Sequence, residues 1–315
     1  MALHPRIETP DTPCLCTSRT RNSELWFVNN ERLHDAILGY LAKYTDTYQA
    51  TLYAFAIEGN HLHTDILFPQ ENRSGFMRAF NSQVARSVQR LVPEFPGGSV
   101  LGRRYSNEIL PDGADLEEYF FYVALQPVQD GQVEFIRDFD GYHFFHDAVY
   151  GIEREFKVVD YKRFNAARKK NPGALLLDFI TTYTLKYERL PGYEHLSQKD
   201  YAKLMYKKLE KRRLKIVADR RAAGLGFAGR VRRSLVIPGS RPFSTKRSSR
   251  HSHRPRVLSV CPIRRAEWLR WYFEIYDQYK AASKLFRAGF LDTVFPSGTY
   301  RPWTKYSAAQ LTAPN

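Results

Sequence analysis

From Thr12 to Leu110 the chain alternates short β-branched or aromatic runs with longer stretches whose apolar residues recur every three or four positions. TPCLCT (12–17) reads as a strand. In ERLHDAILGYLAKY, Leu33, Ile37, Leu38 and Leu41 share one helical face, which predicts a helix over 31–44. QATLYAFAI (49–57) and HLHTDILF (61–68) predict two strands joined by the turn Glu58–Gly59–Asn60. RSGFMRAFNSQVARSVQRL (73–91) carries Phe76, Phe80, Val84 and Val88 at four-residue spacing and predicts a second helix. GRRYSNEIL (102–110) is a further strand. PDGAD then supplies a turn and an N-cap for LEEYFFYVALQ, a short helix stopped at Pro127. The expected fold is α+β, a central antiparallel sheet with helices packed on it.

Beyond about residue 135 the rhythm changes. Residues 174–190 and 198–223 read as helices, the second capped in a box-like way by Ser197–Asp200. Residues 224–260 turn to Gly, Pro, Ser and Arg and read as a linker. A last helix near 263–288 places Trp268, Trp271, Tyr272, Ile275, Tyr276 and Tyr279 on one face, expected to dock on the rest of the protein. No internal repeat is visible. The division expected is a first domain over 10–150 and a helical, basic extension over 151–315.

Charge sharpens that division. The net value is +15, and it is unevenly placed. Lys203 to Arg256 holds 18 Lys and Arg against two acids, Glu210 and Asp219, which leaves 30 basic and 31 acidic residues elsewhere. Localised positive charge on a balanced chain is a footprint for a polyanion, here nucleic acid before an acidic membrane, because the segment lacks an amphipathic aromatic face. Three cysteines, Cys14, Cys16 and Cys261, form neither a disulfide framework nor a CxxC zinc pattern. With no signal layout in MALHPRIETPDTP and no long apolar run, a cytoplasmic location is expected.

The candidate chemistry starts in GNHLHTDILFP (59–69). Residues i and i+2 of a strand share a face, so His61 and His63 project together while Leu62 points to the core. Two neutral imidazoles side by side are a bidentate anchor for a divalent metal. His251–Ser252–His253 has the same spacing but sits in a Pro/Ser-rich basic stretch, where it reads as incidental. About sixty residues after the strand, YVALQP puts Tyr122 and Gln126 at i and i+4 of a helix, an attacking hydroxyl and a ligating carbonyl. Each also has a plain structural reading, as a core aromatic and as a polar helix-end residue.

GNHLHTDILFP followed by EYFFYVALQPVQDGQV resembles the HUH single-tyrosine transposases, in particular the REP-associated tyrosine transposases of bacteria. Their histidine strand is preceded by an asparagine, as Asn60 is here. Their second motif is close to Y-x-x-x-N-P-V-x-x-G, against Tyr122-x-x-x-Gln126-Pro127-Val128-x-x-Gly131 in this chain. The likeness covers roughly residues 10–150, the expected catalytic domain, and the AAGLGFAG and VFPSGTY stretches resemble extensions of long members more loosely.

The resemblance implies that His61, His63 and Gln126 hold one Mg²⁺ or Mn²⁺ ion. It implies that Tyr122 attacks single-stranded DNA near a hairpin of REP-like or element-end sequence, through a 5′-phosphotyrosine link, in a bacterial, nucleoid-associated setting. Asp65, next on the same strand face, is a candidate to orient a histidine. Tyr119 is the rival nucleophile, and His143 and His146 are candidates for further polar contacts. In the basic segment, Lys211, Arg212, Arg213, Arg220, Arg221, Arg230, Arg232, Arg233 and the 241–256 run are expected to meet phosphates. Homodimerisation is left open. Two alternatives stand beside this reading: a domesticated protein that binds structured DNA without cutting it, and an RNA-binding or RNA-processing protein.

Overall fold

Helical and extended runs in the first 110 residues fold largely as they read. The computed structural model describes residues 5–242 and 256–302. In chain order come β1 (Cys14–Arg19), α1 (Glu31–Thr47), β2 (Thr51–Glu58), β3 (His61–Leu67), α2 (Arg73–Leu91) and β4 (Ser106–Ile109). The strands lie in the order β2-β3-β1-β4, each antiparallel to its neighbour. That is the split β-α-β, ferredoxin-like topology. Asn30 caps α1 by accepting from the Leu33 amide at 2.9 Å, and α1 buries Leu33, Ile37, Leu38 and Leu41. α2 buries Phe76, Phe80, Val84 and Val88.

Direct cross-strand partners share a face of the sheet. One face carries Leu62, Thr64 and Ile66 with Ser18, Cys16 and Cys14; α2 lies against it, and Ser18 Oγ donates to Asn81 Oδ1 at 2.9 Å. The other carries His61, His63 and Asp65 with Arg19, Thr17 and Leu15 of β1 and Glu58, Ala56 and Ala54 of β2. Over it lies α3 (Gly113–Ala124). The two alanines, both buried, keep that face low where the helix crosses.

α3 is capped by Asp112, which accepts from the Asp115 amide at 2.9 Å. It ends sooner than expected. Leu125 leaves the helical region (φ −99°, ψ 6°), and Gln126 begins a separate turn, α4 (Gln126–Gln129), with Pro127 in its first turn. Pro127 has no N–H and its ring would clash with the carbonyl four residues back, so the ladder breaks and restarts at a position proline favours. Tyr122 and Gln126 are therefore not stacked on one helix.

The extension is not purely helical. After α5 (Phe145–Tyr150) come β5 (Arg154–Val159), α6 (Tyr161–Lys170) and β6 (Ile180–Leu185), the two strands pairing antiparallel. The segment expected as a helix over 174–190 is a 3₁₀ turn (Leu176–Phe179) followed by β6. Ile180, Thr181, Thr182, Tyr183 and Thr184 are β-branched or aromatic, and that local preference outweighs the apolar spacing around them. The small sheet packs on α1 at Gly39, where a Cβ would come 3.0 Å from Val158 Cγ2.

α7 (Gln198–Ala222) begins at Ser197, whose hydroxyl accepts from the Asp200 amide at 3.1 Å as the sequence predicted. α8 (Gly229–Ser234), β7 (Arg256–Val257) and α9 (Pro262–Arg287) follow. β7 pairs parallel with β4 at the sheet edge, the one exception to the antiparallel pattern among the described residues. The aromatic face of α9 docks as expected: Tyr272 and Tyr279 are buried, and the Tyr272 hydroxyl donates to the Pro5 carbonyl at 2.9 Å. Most of the 241–256 run, with His251 and His253, lies outside the described residues. Among the described residues no helix is long and apolar enough to cross a membrane.

Candidate active site

The two-residue turn between β2 and β3 sets His61 and His63 on the sheet face under α3. Their rings meet edge to face with centroids 4.6 Å apart. Each Nδ1 is engaged. Asn60 donates through Nδ2 to the Ser23 carbonyl at 3.0 Å, so its Oδ1, 2.7 Å from His61 Nδ1, accepts the ring proton. His61 then offers a lone pair at Nε2. His63 Nδ1 lies 2.9 Å from Oγ1 of Thr17, its direct partner on β1. Burial pushes His61 well below the usual imidazole range, helped by His63 and Arg19, and pushes His63 down to about 4, helped by Arg19. Both rings are neutral at pH 7, the form that ligates a metal.

Tyr122 projects from α3 toward this pair, its ring centroid 5.8 Å from that of His63. The Tyr119 ring packs against that of Tyr122 at a tilt, with centroids 5.7 Å apart. Burial raises the Tyr122 hydroxyl to about 12, and the charges of Asp130, Glu108, Tyr119 and Glu58 add to the rise. The phenolate is scarce at neutral pH, so attack by this oxygen requires positive charge nearby.

Past the helix break, Gln126 is buried and its Oε1 has no hydrogen-bond partner. Among the described residues no three His, Cys, Asp or Glu side chains group to hold a metal. A third protein ligand beside the two histidines must then come from another residue type. An orphaned amide oxygen fits that need, since a hard cation takes carbonyl oxygen and an imidazole pair suits a first-row metal.

Asp65 does not orient either histidine. It is fully buried and neither carboxylate oxygen has a partner among the described residues; burial, with Cys14 and Glu108 nearby, raises its pKa well above the usual carboxylate range. Thr17 and Asn60 fill the role expected of it. Glu58, the cross-strand partner of His61, was also missed. It accepts from Gln132 Nε2 at 2.6 Å, and burial raises it to about 8. His143 serves the helix end instead, its Nε2 donating to the Ala124 carbonyl at 2.8 Å, and His146 meets the Tyr206 hydroxyl at 3.0 Å.

Most of the expected phosphate contacts are occupied within the protein. Arg212 pairs with Glu118 at 2.9 Å and Arg213 with Glu210 at 2.6 Å. Arg220 donates to the Gln129 carbonyl at 2.8 Å, Arg221 pairs with Glu134 at 2.9 Å and Arg233 with Asp140 at 2.5 Å. Lys208 adds a bond to Glu117 at 2.8 Å. The arginines of α7 thereby clamp α3, α4 and the loop that follows, the segment bearing Tyr122 and Gln126. Gly131 belongs to the clamp: its φ is +71°, and a Cβ there would lie 2.0 Å from Arg220 Nη2. Of the basic residues singled out, Lys211, Arg230 and Arg232 remain exposed without an ion pair among the described residues.

No protein-family model and no curated protein matches the sequence. Among solved structures, a REP-associated tyrosine transposase bound to a REP hairpin aligns with 46% of this chain and 84% of its own, at 16% identity and a TM-score of 0.40. That is a distant structural likeness.

Proposed function

We propose that the protein is a metal-dependent DNA nicking and strand-transfer enzyme of the HUH single-tyrosine type, acting on single-stranded DNA beside hairpins. The observation that carries this reading is one sheet face under α3, with two neutral imidazoles whose Nδ1 atoms are tied and a tyrosine ring 5.8 Å from one of them; the buried, unpartnered amide oxygen of Gln126 in the turn after α3 supports it. His61 and His63 would present Nε2, and Gln126 its Oε1, to a divalent ion. Bound there, Mg²⁺ or Mn²⁺ would supply positive charge that favours the phenolate and offsets charge on the scissile phosphate. The Tyr122 oxygen bonds to phosphorus, the bond from phosphorus to the 3′ oxygen breaks, and that oxygen gains a proton as the phenol loses one. The 5′-phosphotyrosine link conserves a phosphodiester that a second strand's 3′-OH can reclaim. Catalysis belongs to residues 10–150, and Lys211, Arg230 and Arg232 in the extension face outward to meet phosphates.

A labelled DNA hairpin with a single-stranded flank tests the reading. Wild-type protein should nick it with Mn²⁺ and not with EDTA, and His63→Ala should lose the activity. Tight binding without nicking would favour the second reading, a DNA-binding protein that no longer cuts, for which the raised Tyr122 pKa is the observation.

A further inference from the structure

We propose that the outward face of α6 is a contact surface for the phosphate backbone of DNA. α6 reads YKRFNAARKK, five cations and no acid. At about 100° per residue, Lys162, Arg163, Lys169 and Lys170 fall within an arc of about 120°. Tyr161, Phe164 and Ala167 occupy the other side and are half-buried. Phe164 packs on Phe179 with centroids 5.7 Å apart, and Arg90 at the end of α2 lies 4.3 Å over the Tyr161 ring. The helix is thus held by its aromatic side and presents its cations to solvent.

All four cations are exposed, and none has an ion-pair partner among the described residues. This separates them from the arginines of α7, which the protein uses internally. A face that only confers solubility mixes both signs. This one carries a single sign, and Lys162 and Arg163 stand in the first turn, where the helix dipole disfavours positive charge. An anionic backbone laid along the face relieves both penalties and releases its own counterions. The surface lies outside residues 10–150, so no feature of the candidate active site bears on it. That the polyanion is DNA rests on the function proposed above; that α6 binds it requires neither Tyr122 nor a metal. Exposed Leu175 and Leu177 follow the helix, so an anionic bilayer is the competitor to exclude.

The test uses the full chain carrying Tyr122→Phe, in EDTA, with a fluorescent DNA hairpin followed by anisotropy from about 50 to 200 mM salt. Neutralising Lys162→Gln, Arg163→Gln, Lys169→Gln and Lys170→Gln together should weaken binding about tenfold or more and lower the slope of log K against log salt by about three. The half variants, Lys162→Gln with Arg163→Gln and Lys169→Gln with Lys170→Gln, should each lower the slope by about one to two, and they decide the matter if the fourfold variant does not fold. An unchanged affinity and slope in folded variants overturns the proposal. So does α6-dependent binding to phosphatidylserine vesicles with DNA affinity unaltered. Because nothing is cut in this assay, failure of the Tyr122 chemistry cannot mimic either result, and loss of α6 binding leaves adduct formation at Tyr122 to be judged separately.

Discussion

Thr17 and Asn60 each hold one imidazole of the pair by its Nδ1. Neither announces itself in the sequence as a site residue. Asn60 sits beside the histidine motif, but its role depends on its amide being fixed by the Ser23 carbonyl. Thr17 is 46 residues from His63 and becomes its partner only through the register of β1 on β3. Outer partners of this kind set ligand basicity and orientation, and losing one lowers metal affinity by about 10–100-fold. Thr17→Val should therefore weaken Mn²⁺ binding by about tenfold or more, measured by titration calorimetry, while leaving the melting temperature close to wild type. His143 gives a second expectation. Burial holds it at about 4 in the folded protein, against about 6.5 unfolded. The unfolded chain binds the extra proton between those values, so stability is level above about pH 7 and falls as pH drops from 6.5 toward 4. His143→Gln should shrink the difference between urea midpoints measured at pH 7 and at about pH 5.

Among the elements, the break between α3 and α4 and its clamp by α7 matter most to the candidate site. Gly131, part of the sequence motif, has a physical reason once Arg220 is seen crossing it. Gly131→Ala should lose at least about 1 kcal/mol of unfolding free energy. In an Arg220→Ala background the same change should lose clearly less, because the steric conflict is gone. Equal losses in the two backgrounds would dismiss the clamp. The elements that were legible carry strong local periodicity: α1, α2, α7 and α9 fall within a few residues of their expected ranges. β6 differs from the expected helix because the leucines before it mimic a helical face while its threonines favour extension. α3 ends at Ala124, two residues before the expected stop, because proline disrupts the helix ahead of itself and not at its own position. The pairing of Tyr122 with His63 was expected from the motifs, and the sheet face that brings them together follows from strand order, which local pattern does not encode.

For the whole molecule, the sheet separates two tasks. One face, roofed by α3, gathers His61, His63 and Tyr122; the other is covered by α2 and its hydrophobic side chains. The +15 charge divides likewise by use. Arginines on α7 tie the extension to the tyrosine-bearing segment, whereas the cations on the outward face of α6 and Lys211, Arg230 and Arg232 are exposed without an ion pair among the described residues, and these are the ones proposed to meet phosphate. Bulk charge counting could not make that distinction, since paired and unpaired cations look alike in a sequence. Neutralising Lys211, Arg230 and Arg232 should reduce DNA affinity and salt dependence without reducing stability, whereas Arg212→Ala should lower the melting temperature, as scanning calorimetry would show. The central claim is that Tyr122 becomes joined to DNA. Incubating the protein with Mn²⁺ and a 3′-labelled single-stranded DNA carrying a hairpin, then resolving it under denaturing conditions, measures that directly. Wild type should carry label as a covalent adduct that EDTA prevents and Tyr122→Phe abolishes; an adduct that persists in Tyr122→Phe would contradict the account.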